Sequence, residues 1–183
     1  MNKTIGNVVA VCRNRKHEFS KELQVNINLI KMFGVEGDAH AGKYVKHRAR
    51  VKKDPSQINF RQVHLVESES LDDLKRDGYE VRPGELGENI TTKGIQLVDL
   101  PEGAILKIGR LVRLEITGLR KPCKQIDGFQ DGLLQMVISK DKTGKLDIKS
   151  GVMSIVTQGG IVTPGDEIEI IYPDQPYKEL EFV

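Results

Sequence analysis

A mainly β fold, a closed or partly closed β-barrel with a few short peripheral helices, is predicted by three features of the sequence. Short apolar runs rich in β-branched residues recur along the chain, glycine and proline signals separate them, and sustained helical periodicity is scarce. No strand–helix–strand alternation occurs, so a parallel sheet covered by helices is not expected. At 183 residues the chain suits a single domain that buries its own core without disulfides or structural metal, with that core over about 5–170.

Taken in order, Ile5 to Val11 is the first β-branched run and Gln62 to Val66 the next, partly alternating. One helix follows: Ser68 or Ser70 is placed to cap it, Leu71 and Leu74 share a face, Lys75 and Arg76 fill the last turn, and Gly78 closes it. Ile105 to Ile108 and Leu111 to Thr117 are two strands parted by Gly109-Arg110. In the second, Val112, Leu114 and Ile116 share one face while Arg113, Glu115 and Thr117 share the other, the period of a half-buried strand. A short helix is expected around Leu133 to Ser139. Val152 to Thr157 and Glu167 to Tyr172 complete the set, with Thr163-Pro164-Gly165-Asp166 suited to a type II turn between them. Residues 43–60 read as a basic excursion, and 174–183 as a tail that packs or frays.

Charge bounds the partners. Twenty-eight Lys and Arg against 26 Asp and Glu leave a formal +2, too little to imply nucleic-acid binding. Lys43, Lys46, Arg48, Arg50, Lys52 and Lys53, with His47 among them, form an acid-free run that either steers an anion or is a solvated loop. With no Trp and 5% aromatic residues, stacking platforms are few, so a nucleic-acid partner is not expected. Cys12 and Cys123 are too far apart in sequence to suggest a disulfide framework or a CxxC zinc site. That usage, no signal-peptide pattern and no apolar run of roughly 18 residues predict a cytoplasmic protein without a membrane span.

The chemistry centres on Gly118-Leu119-Arg120-Lys121-Pro122-Cys123-Lys124, where one cysteine lies among three cationic side chains just after a strand. Cationic neighbours favour the thiolate that attacks electrophiles, carries sulfur or ligates a soft metal, and Pro122 presents it from a defined loop. The competing reading is a small apolar filler. Cys12 reads as a strand-end core residue. In Gly34 to Gly42, Asp38 and His40 sit two residues apart, either to bind a metal or move a proton, or, for Asp38, to hold its own loop amides as an Asx turn. Pro83 to Thr92 offers the amides around Gly84 and Gly87 and the side chains of Asn89 and Thr91, though Glu85 and Glu88 would repel an anion unless they are otherwise engaged. Of Ser150 to Ile168, only the front end, Lys149-Ser150-Gly151, looks available to a ligand.

In this order and at these separations, Gly34 to Gly42, Arg61-Gln62-Val63-His64-Leu65-Val66, Pro83 to Thr92, the Pro122-Cys123 loop and Gly151 to Ile168 resemble the MOSC domain family, over about Ile5 to Ile170. The family is the C-terminal module of molybdenum cofactor sulfurases and also occurs as small stand-alone proteins. The resemblance implies a β-barrel and one functional cysteine, here Cys123, tied to molybdenum cofactor binding or sulfur transfer and, in related reductases, a thiolate ligand of the metal. It would make Gly87, Asn89, Thr91, Ser150 and His64 contacts for the pterin and its phosphate. Arg120, Lys121 and Lys124 would offset the cofactor's charge, and Asp38, His40 or His64 would move protons. The chain departs from the pattern at Ser150, where many relatives carry arginine, and at His64, where a small hydroxyl residue is common.

The leading expectation is therefore a molybdopterin-binding enzyme, with the molybdenum cofactor held stably or transiently, that reduces N-hydroxylated small molecules and draws on an electron-donor protein. The alternatives are a persulfide carrier served by a cysteine desulfurase, since no pyridoxal-phosphate domain is evident, and a non-enzymatic polyanion-binding barrel.

Overall fold

The computed structural model describes residues 6–45, 54–140, 144 and 146–183. Its first strands are β1 (Gly6–Arg13), β2 (Glu22–Gln24), β3 (Ile27–Ile30) and β4 (Gly34–Val35), followed by β5 (Val63–Glu67), helix α1 (Ser68–Arg76) and β6 (Ile90–Lys93). A 3-10 turn over Leu97–Asp99 leads to β7 (Ile105–Ile108) and β8 (Val112–Leu119). Two short helices, α2 (Gln125–Phe129) and α3 (Leu133–Val137), precede β9 (Ile138–Lys140), β10 (Leu146–Ile148), β11 (Val152–Gln158), β12 (Gly160–Val162) and β13 (Glu167–Ile171).

Seven of these strands close a barrel in the order β13, β7, β8, β11, β5, β6, β1, with β1 pairing back onto β13 and β2 attached outside β1. All neighbours are antiparallel except β5 and β6, which α1 joins into one parallel strand–helix–strand unit where the sequence predicted none. The alternation read in β8 is realised: Val112, Leu114 and Ile116 are buried, while Arg113, Glu115 and Thr117 face outward. Leu65, Ile90, Leu106, Val152 and Ile168 join them in the barrel core, each such side chain contributing about 1.5–3 kcal/mol on burial. A second apolar cluster lies outside the barrel wall, where Leu71 and Leu74 of α1, Ile126 of α2, and Leu133 and Val137 of α3 pack on Val66 and Leu86. Ile126 N–H donates to Cys123 O at 3.1 Å, which joins this cluster to the Cys123 loop. Among the described residues no helix is long and apolar enough to cross a membrane.

Several local expectations change. Neither serine caps α1, whose N-cap is Glu67 without a side-chain hydrogen bond; Ser70 Oγ turns to Glu67 Oε1 at 3.4 Å. The exit is as read, with Gly78 N–H on Lys75 O and Tyr79 N–H on Leu74 O, a Schellman ending. The end of the Pro83 to Thr92 segment, read as a loop surface for a ligand, enters β6 because β1 and β5 offer it an edge on each side. The short strands β2, β3, β4, β9, β10 and β12 carry too little periodicity to be read in advance. Pro164-Gly165 makes the expected turn, with Gly165 at φ +95° and Asp166 N–H on Thr163 O. The excursion closes at its base through the Tyr44–Ile58 bridge; Lys46, His47, Arg48, Arg50, Lys52 and Lys53 lie outside the described residues.

Candidate functional site

A cleft of about 410 Å³ opens beside the Cys123 loop. Arg120, Lys121, Pro122 and Cys123 form one wall as β8 runs out, and Gln125 at the start of α2 continues it. Phe19 and Lys21, from the link between β1 and β2, line it too, with His40 of the Gly34–Gly42 segment and Val45 just beyond that segment. Asn59, Arg61 and His64 enter from the return into β5, Gly87 and Asn89 from the loop before β6, and Met153 from β11. Six chain segments distant in sequence thus converge on one cavity.

The loop is built from its backbone outward. Arg120 N–H donates to Gly151 O at 3.0 Å, and Ser150 Oγ donates to Arg120 O at 2.8 Å, so the residue is pinned to the start of β11. Its guanidinium turns to the Cys123 sulfur. Burial pulls Arg120 below the usual guanidinium range, while the neighbouring Cys123 and Glu88 oppose that shift. Cys123 is half-buried, with Sγ 3.6 Å from Gln125 Oε1.

Around Lys21 and His40 sits a dense polar cluster. Asp38 accepts from His40 N–H at 2.9 Å, Asn89 Nδ2 at 3.0 Å and Lys21 Nζ at 2.8 Å. The first of these is the Asx turn anticipated for this loop. Burial would raise Asp38, but the His40 and Lys21 interactions prevail and hold its carboxyl well below the usual carboxylate range. Burial in turn lowers Lys21, against the pull of Asp38. Asn89 ties three segments together, donating to Cys12 O and Asp38 and accepting from His64 N–H. His64 Nε2 lies 2.7 Å from Ser150 O. Burial first, and the Arg120 charge second, push the imidazole well below its ordinary range, so a neutral ring donates through Nε2 to that carbonyl.

The sequence-derived candidates therefore separate. Cys123, Arg120, Lys121, His64, His40, Gly87 and Asn89 all line the cleft. Asp38 supports His40 and Lys21 from behind. Ser150 is buried, its oxygens spent on Arg120 and His64, and Thr91 Oγ1 donates to Glu88 Oε1. Lys124 is exposed and does not line the cavity. The glycines at 84 and 87 are explained by packing: a Cβ at Gly84 would stand 2.5 Å from Lys21 O, and one at Gly87 2.7 Å from Phe19 O. The Gly84 and Gly87 amides are satisfied internally, by Glu88 Oε1 and Gly84 O. Glu85 likewise accepts from Arg82 N–H, which answers the question of where the loop's acids point. Sequence reasoning passed over Lys21, Phe19, Asn59 and Met153, which carry no local motif.

The MOSC domain model matches residues 36–169. The chain belongs to the MOSC domain family. That family is associated with molybdenum cofactor binding. Among solved structures, the YuaD protein from Bacillus subtilis aligns with a TM-score of 0.75 at 22% identity, covering 92% of this MOSC chain and 97% of that one. YiiM from Escherichia coli gives 0.61 at 17% identity, covering 94% and 73%, and YiiM from Geobacillus stearothermophilus gives 0.55 at 17%, covering 92% and 74%. These likenesses establish the shared fold. No curated protein is matched.

The residues present fit such a cofactor. Arg120 Nη1 is buried and has no hydrogen-bond acceptor among the described residues, a donor that an oxyanion would satisfy. Lys21 and Lys121 line the same cavity as the cysteine, so anion-binding and soft-ligand groups are juxtaposed.

Proposed function

We propose that this MOSC domain holds the molybdenum cofactor in the Cys123 cleft, with Cys123 as thiolate ligand, and reduces N-hydroxylated small molecules. The observation that carries the reading is the buried, acceptor-less Arg120 Nη1 in the same wall as Cys123. Among the described residues no group of three His, Cys, Asp or Glu side chains is placed to hold a metal ion. A metal bound through Cys123 would thus arrive with most of its ligands, as cofactor-borne molybdenum does. When bound, the cofactor supplies the two-electron redox chemistry.

The protein's part is binding, orientation and proton supply. Arg120 and Lys21 are fixed by burial and hydrogen bonds, so they meet an anionic group with little reorganisation. Exposed Lys121 at the rim attracts anions from solution. Phe19, Val45 and Met153 give the cleft apolar surface that excludes water around a flat substrate. Converting an N-hydroxyl compound to its amine and water consumes two protons with the two electrons. His40, half-buried and with Nδ1 3.4 Å from Asp38 Oδ1, would pass protons between solvent and cleft in this reading.

The test is molybdenum and pterin analysis of wild type and Cys123→Ser purified from cells that make the cofactor, followed by assay of N-hydroxylated bases with a chemical reductant. Near-stoichiometric molybdenum in wild type, lost in the folded variant, is expected. A labile sulfur adduct on Cys123 with neither molybdenum nor pterin would replace this reading with sulfur transfer. Salt-sensitive polyanion binding that survives Cys123→Ser, again without cofactor, would replace it with a binding role.

A further inference from the structure

The end of β8 is held on two edges. On one side β11 pairs with it, Val152 opposite Leu119 and Met153 opposite Gly118. On the other, β7 pairs no further than Ile105 opposite Glu115, which would leave Gly118 and Leu119 with a bare edge. Residues 181–183 fill it. Leu119 N–H donates to Glu181 O at 2.8 Å, Val183 N–H donates to Leu119 O at 3.2 Å, and Phe182 forms a parallel bridge with Leu119. The segment is anchored upstream, where Glu102 N–H donates to Lys178 O at 2.8 Å and Leu180 packs on the barrel core.

Gly118 records how close that approach is. A Cβ there would lie 2.5 Å from Glu181 O and 2.5 Å from Val183 Cγ1, and its three nearest atoms all belong to this segment. Glycine within a strand marks such a backbone approach. Just past the end of β8 comes Arg120, whose guanidinium meets the cysteine, and then the Cys123 loop itself.

We infer that residues 178–183 are a positioning clamp for the Cys123 loop: by completing the edge of β8 they set where Arg120 and Cys123 leave the barrel, and Gly118 is the residue that lets them do so. The inference rests on the reading of Cys123 as the working residue of the cleft, but its test needs no cofactor.

The experiment compares wild type, Gly118→Ala, a chain ended after Tyr177, and the combination. Each is treated with iodoacetamide and with a bulky aromatic disulfide, and modification of Cys123 is followed by peptide mass spectrometry. The ratio of the two rates reports how freely a large reagent reaches the sulfur, largely independent of the thiol's intrinsic reactivity. The expected result is a rise of about fivefold or more in that ratio for the shortened chain and for Gly118→Ala, with no further rise in the combination, because the shortened chain has nothing for the new Cβ to displace. Circular dichroism checks the fold, and if Gly118→Ala does not fold the shortened chain alone decides. An unchanged ratio in the folded shortened chain overturns the clamp. So does an equal effect of Gly118→Ala in the full and shortened chains. Normal molybdenum loading with an unchanged ratio would sink the clamp and leave the cofactor reading standing; the converse pair of results would do the opposite.

Discussion

The two cysteines of this chain occupy opposite surroundings, and the contrast shows how little of a thiol's chemistry belongs to the residue itself. Cys12 ends inside β1, wholly buried, with Sγ so near Gly84 that an added Cβ there would approach it to 2.9 Å. Burial first and the Glu88 carboxylate second push its thiol up to about 12, against the opposing charge of Lys21. Cys123 sits on a loop after β8, half-buried, at a cleft, with a guanidinium turned toward it. One sulfur is a packing atom that keeps its proton; the other faces a cavity beside a fixed cation.

The largest expected effect is the contrast itself. Iodoacetamide at about pH 8 should modify Cys123 in the native protein while Cys12 reacts at least about a thousandfold more slowly, and denaturant should bring the two rates together. Comparable native rates would erase the distinction. Next, Asp38→Asn strips the buried Lys21 of its counter-ion beneath the Cys12 side of the cleft; a loss of about 3–5 kcal/mol in urea unfolding is expected, much of it recovered by adding Lys21→Met. Gly84→Ala attacks Cys12's cover directly: with φ at +89° and Lys21 O only 2.5 Å from the new Cβ, destabilisation of about 2 kcal/mol and faster native alkylation of Cys12 should appear together.

Arg120→Met sharpens the other side, since removing the guanidinium should slow Cys123 alkylation at neutral pH by about three- to tenfold without touching Cys12. The smallest effect is a slope. The Cys12 thiol keeps its proton in the fold up to about 12 but loses it near 9.0 when unfolded. The native state thus binds more protons across that window, and stability falls as pH rises from about 9 towards 12, with no contribution below. Urea midpoints at about pH 8 and pH 10 should show a shallower alkaline loss in Cys12→Ala than in wild type.

The barrel was legible where one strand faces core on one side and water on the other. In β8 each alternate residue announces its face, and the Pro164-Gly165 turn announces its geometry. Strands such as β2, with the sequence Glu-Leu-Gln, and β6, with two threonines, are invisible in isolation because their partners' edges, more than their own pattern, make them strands. At the site, the crowding of Arg120, Lys121 and Lys124 around Cys123 could be read directly, but not which cation turns inward. The glycines at 84 and 87 were visible as special positions, yet their cause, the passage of residues 19–21 against them, comes from a segment far away in the chain.

By itself the sequence determined the class of fold and the family resemblance and singled out Cys123 as the candidate for chemistry, because alternation, turn residues and charge next to a thiol are local facts. Tertiary structure alone decided that Lys21, an ordinary surface residue by type, is buried against Asp38, that Thr91 serves Glu88, and that Arg120 Nη1 is a buried donor without an acceptor among the described residues. It also decided that residues 181–183 complete the edge of β8. The reason is physical: burial and ion pairing depend on which distant segment arrives to remove water from a side chain, and that is set only when the barrel closes.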